Sequence, residues 1–83
     1  MCKGSLRLIA ADRCWTWVEL LDDEVSEELT FSDTVVLLDE PVVDPYVSLH
    51  FALSEIEEIE RYIVFVLTRF GPRWILAKNT KDL

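Results

Sequence analysis

Ser54-Glu55-Ile56-Glu57-Glu58-Ile59-Glu60-Arg61-Tyr62-Ile63-Val64-Phe65-Val66-Leu67-Thr68-Arg69-Phe70 is the stretch on which the fold turns. It supports two readings. Ser54 as N-cap with Glu57 at N3 fits a capping box, and the two side chains would satisfy free N–H groups of a first helical turn. Ile56, Ile59, Ile63, Val66, Leu67 and Phe70 follow helical spacing. Glu55, Glu57 and Glu58 suit the positive end of a helix and Arg69 the negative end. Gly71-Pro72 then makes a natural stop. Against this, Tyr62–Leu67 is rich in β-branched and aromatic residues, which favour a pleated strand. As a strand it would turn at Gly71-Pro72 into a hairpin with Arg73–Lys78. The helix over 54–70 is the expectation adopted.

Outward from this stretch the chain reads mostly as strands. Ser5–Ala10 is a short strand with Leu6 and Leu8 on one face. Trp15–Leu21 is a second, apolar on both faces. Leu29–Leu38 is a third, broken at Ser32-Asp33; its run Val35-Val36-Leu37-Leu38 lacks alternation and asks for burial on both sides. Asp39–Pro45, with Pro41 and Pro45, reads as a loop, since proline cannot donate to a ladder. Tyr46–Leu53 alternates cleanly as a half-exposed strand, although Asp44-Pro45 would also suit the start of a helix. Trp74–Ala77 is a last strand, and Asn79–Leu83 a frayed polar tail. The expected fold is α+β, a mostly antiparallel sheet of about four strands packed by one C-terminal helix. A small all-β barrel, with Ser54–Glu60 only a helical turn, is the alternative.

The chain has 83 residues, 51% of them apolar, and carries 16 acidic and 8 basic side chains. That length suits one domain over residues 1–83, with enough apolar content for a real core. The net charge of −8 is unevenly laid out. Between Cys14 and Glu60 every charged residue is Asp or Glu, while the basic residues lie at the two ends. Phosphate contacts need Lys and Arg, so the acidic stretch does not suit direct nucleic-acid binding. A basic protein surface is the better partner.

No run reaches the roughly 18 apolar residues of a membrane span, and the N-terminus lacks the pattern of a signal peptide. With that, Cys2 and Cys14 are expected as reduced thiols in a cytoplasm, and Cys14 as a small buried hydrophobe. The lone His50 has no nucleophile beside it in sequence. Two Cys and one His match no zinc pattern, and Asp22-Asp23-Glu24 lacks the spacing and the Gly of a calcium loop. No cofactor, metal or catalytic set is therefore expected, and the chain is read as a non-enzyme.

The expected working surface is acidic. It comprises Asp22, Asp23, Glu24, Glu27 and Glu28 in a first cluster, Asp39, Glu40 and Asp44 in a second, and Glu55, Glu57 and Glu58 in a third. Carboxylates spaced on a rigid surface imitate a phosphate track. The function expected is that of a small inhibitor occluding the basic site of a nucleic-acid-binding protein. Small size and acidity are shared with viral anti-defence proteins and with immunity proteins for nuclease toxins. The alternative is an assembly subunit that forms a homodimer through the apolar Ile63–Leu67 run.

Overall fold

The fold is known from a computed structural model that describes residues 2–19, 24–45 and 57–83, with the backbone alone at Glu58 and Ile59. Eight short strands lie among these residues: β1 (Leu6–Ile9), β2 (Cys14–Trp15), β3 (Glu28–Leu29), β4 (Thr34–Leu37), β5 (Val42–Val43), β6 (Tyr62–Thr68), β7 (Gly71–Leu76) and β8 (Thr80–Asp82). A short 3-10 turn at Glu58–Arg61 leads into β6, and another at Ala77–Asn79 joins β7 to β8. All strand pairs are antiparallel. The sheet curls into a half-barrel, and the Cα radius of gyration, 12.0 Å, is that of one compact domain of this length.

The helix expected over 54–70 is not formed over its described residues, 57–70. Tyr62–Thr68 is the longest strand of the sheet, and residues 57–83 contain no α-helix. Its pairing explains why. β7 runs along one edge of β6 from Ile63↔Leu76 to Thr68↔Gly71. β4 and β5 share the other edge, through Val36↔Leu67 and Leu37↔Val66, then Val42↔Ile63 and Val43↔Tyr62. A central strand with both edges occupied satisfies its backbone groups as fully as a helix would. The β-branched and aromatic side chains of Tyr62–Leu67 then sit where they pack best. Gly71, expected as a helix stop, instead takes the positive φ of 106° that the tight Arg69-Phe70 turn requires. Arg69, expected at a helix end, lies 3.2 Å from Asp33.

Other boundaries differ as well. The described part of the expected strand Trp15–Leu21, up to Glu19, is not continuous strand: pairing covers Cys14–Trp15, and Trp17 then exchanges two backbone hydrogen bonds with Trp74. The expected loop at Asp39–Pro45 contains β5. The expected frayed tail contains β8, which pairs with β1 through Arg7↔Asp82, Leu8↔Lys81 and Ile9↔Thr80. The strand expected over Tyr46–Leu53, with His50, lies outside the described residues, as do Ser54, Glu55 and Ile56. The break at Ser32-Asp33 is real. Ser32 has a φ of 82°, and the Asp33 carboxylate accepts the Thr30 N–H at 2.8 Å.

The inner face of the curl holds the core: Ile9, Cys14, Leu29, Val35, Leu37, Val64, Val66, Ile75 and Ala77, with Tyr62 and Phe70 packed against them. Strands with apolar side chains of period two on this face curl around one another and remove that area from water. Thr16, Thr68 and Thr80 are also buried, and each hydroxyl donates to a main-chain carbonyl, of Glu27, Gly71 and Ala77 respectively.

Candidate protein-binding face

Residues paired across an antiparallel ladder point to the same side of the sheet. On the outer side this produces a continuous apolar strip. Phe65 pairs with Trp74, their ring centroids 4.9 Å apart, and Trp74 pairs with Trp17. All three are half-buried. The neighbouring row is Leu6↔Val36, Val36↔Leu67 and Leu67↔Pro72. In that row Leu6 is 49% and Leu67 45% exposed.

Acidic groups flank the Phe65–Trp74–Trp17 row on two sides. On the β7 side, the segment that resumes at Glu24 returns to the Trp17 end of the row, where the Ser26 N–H donates to the Thr16 carbonyl at 2.6 Å. Its Glu24 and Glu27 are exposed, as are Val18 and Val25. Glu28, half-buried on β3 opposite Trp15, has Arg13 Nε at 3.9 Å. On the other edge of β6, Asp39 and Glu40 stand exposed between β4 and β5, with the Asp39 carboxylate accepting the Glu40 N–H at 2.8 Å. Asp44 follows β5, half-buried, and its N–H donates to the Arg61 carbonyl at 2.7 Å. Glu57 and Glu60 are exposed beside the start of β6. Three strand spacings, roughly 14 Å, separate the two acidic edges.

The second expected cluster, Asp39, Glu40 and Asp44, therefore lies along one edge of β6, Glu57 precedes the turn that leads into that strand, and the first cluster lies across the sheet. Asp22, Asp23 and Glu55 fall outside the described residues, as does the Glu58 side chain. The acids do not all face outward unpaired. Glu27 receives the Ser26 hydroxyl and Arg73 Nε, the latter at 3.3 Å, and Glu60 lies 3.6 Å from Lys78. The Ser26 hydroxyl, the residue's own N–H and the Arg73 charge hold the Glu27 carboxyl below the usual carboxylate range. Asp39, Glu40 and Glu57 make no ion pair among the described residues.

Sequence reasoning missed the aromatic row between the two edges. The hairpin reading held part of the signal, but a turn at Gly71-Pro72 would set Trp74 opposite Arg69; the turn lies at Arg69-Phe70, and that register sets Trp74 opposite Phe65. Cys2 is exposed and Cys14 fully buried; burial pushes the Cys14 thiol up to about 11. Among the described residues no three His, Cys, Asp or Glu side chains are grouped to hold a metal ion, and no helix is long and apolar enough to cross a membrane. Comparison with family models, with curated proteins and with solved structures finds no match to the chain.

Proposed function

We propose that this chain is a small inhibitory binding protein that covers a basic, nucleic-acid-binding surface of a target protein, in the manner of an anti-defence or immunity protein. The observation that supports it best is the half-buried aromatic row with carboxylates along both sides. Interfaces place apolar and aromatic groups at the centre and charge at the rim. The rim here is acidic, so it complements cationic side chains that otherwise hold phosphates. Action by occlusion needs no bond-making group and no cofactor.

The test is capture from lysate at low and high salt, with wild type beside Asp39→Asn/Glu40→Gln and Glu24→Gln/Glu27→Gln pairs. A nucleic-acid-binding protein held at low salt, released by duplex or single-stranded DNA, and weakened by either pair supports the reading. Capture that is insensitive to salt and to both pairs sinks it, because screened surface charge weakens with ionic strength.

The exposed Leu6–Val36–Leu67–Pro72 row favours a second reading, self-association through the outer face. Sedimentation at micromolar concentration decides it. A dimer that Leu67→Lys converts to monomer supports assembly, and a wild-type monomer removes it.

A further inference from the structure

Arg7 is the one charged residue among the described residues that is buried. It alternates with Leu6 and Leu8 on β1, pairs with Val35 and Asp82, and its side chain is only 8% exposed. A guanidinium removed from water needs an anion and hydrogen-bond acceptors. Thr80 Oγ1 accepts from Nε at 3.3 Å and from Nη2 at 3.2 Å. The remaining edge, Nη1, meets the Asp82 carboxylate. That carboxylate belongs to a side chain 96% exposed. The counter-charge of the buried cation thus stands in solvent, and no other hydrogen bond or ion pair holds it among the described residues.

We propose that the Arg7 guanidinium is a carboxylate-binding site that the chain holds closed with its own Asp82. Rotation of the Asp82 side chain into water uncovers Nη1 without disturbing the backbone pairing of β1 and β8. A planar carboxylate from a partner then takes the same place. The site lies on β1 and β8, and the Arg7 guanidinium bonds to none of the acidic groups that flank the aromatic row among the described residues. A tethered carboxylate competes at high effective concentration. The wild-type site therefore opens only for a carboxylate presented at comparable local concentration.

Formate titrations of wild type and Asp82→Ala, against sodium chloride at equal ionic strength, test this by thermal midpoint and by the Arg7 Nε–H resonance. In Asp82→Ala, formate raises the midpoint saturably, chloride does not, and the Arg7 resonance returns toward its wild-type position. Wild type requires at least about tenfold more formate for the same resonance to respond. Equal responses to formate and chloride in Asp82→Ala overturn the proposal: Thr80 and water then satisfy Arg7. So does a wild-type resonance fixed at about a hundredfold the half-saturating concentration of the variant, since Asp82 is then a permanent clasp. If Asp82→Ala does not fold, wild type decides alone, because the Arg7 and Asp82 side-chain resonances must shift together as formate is added.

Discussion

The two faces of β6 are built from similar residues and are used differently. Val66 on the inner face is 0% exposed, while its neighbour Leu67 on the outer face is 45% exposed. The inner side chains meet those of β4 and β7 in one core. The outer ones lie in rows that run across the sheet to Leu6 and Trp17. Apolar character alone does not tell a core residue from a surface one; the direction of curl does. The inner face holds the fold together, and the outer face is available for contact.

The most forceful way to test that division is to truncate one residue on each side. Ile75→Ala, inside, costs about 2–5 kcal/mol, and Leu67→Ala, outside, about 1 kcal/mol or less. Denaturant melts of the two variants read the difference directly. A Leu67→Ala cost equal to that of Ile75→Ala would mean that the outer row is covered in solution.

The division also depends on register, since a slip of one residue would exchange the two sets of side chains. Gly71 fixes that register through its positive φ. An added Cβ would find room, its nearest atom being Arg73 Nη1 at 3.4 Å, so the cost of Gly71→Ala is conformational, about 1–3 kcal/mol. A neutral Gly71→Ala melt would show that the turn does not set the pairing.

A gentler probe of the inner face is its thiol. Unfolded Cys14 ionises near 9.0 and folded Cys14 near about 11. The unfolded state gains charge first, so stability falls as pH rises through that window, and Cys14→Ala should reduce the alkaline loss. At neutral pH a thiol reagent should modify Cys2 in the native protein and Cys14 only after denaturation. The outer rim offers the smallest effect. The Glu27 carboxyl is held low when folded, so its contribution is present above the ordinary carboxylate range. It is lost as pH falls through the folded value. Glu27→Gln should flatten the acid limb of a stability profile slightly, and less so in high salt, because the pair with Arg73 is exposed to solvent.

How far these faces were legible in the sequence depended on local signals. The existence of β1 and the break at Ser32-Asp33 were readable because strand spacing and turn chemistry are local, but the alternating pair Leu6 and Leu8 lies on the outer side and Arg7 and Ile9 on the inner. β6 was misread because nearly every residue from Tyr62 to Leu67 is apolar. A helical period then finds matches without being present. The deciding facts, a partner on each edge of β6, are long-range. β8 lies where the sequence leads one to expect a frayed tail, for the same reason: nothing in Thr80-Lys81-Asp82 announces a strand until β1 lies beside it and Arg7 reaches Thr80. Of the acidic surface, the sequence showed the charge but not its division into two edges. Nor did it show that Glu27 and Glu60 are partly answered by the chain's own cations.

The β1–β8 pairing has a kinetic consequence. Arg7 and Thr80 stand 73 positions apart, so joining them closes nearly the whole chain into a loop and loses the entropy of that closure before any contact returns it. The β6–β7 hairpin needs only a two-residue turn. The hairpin can therefore form early as a local template, while the last ladder sets the pace of folding. Until that ladder forms, the Arg7 charge remains in water.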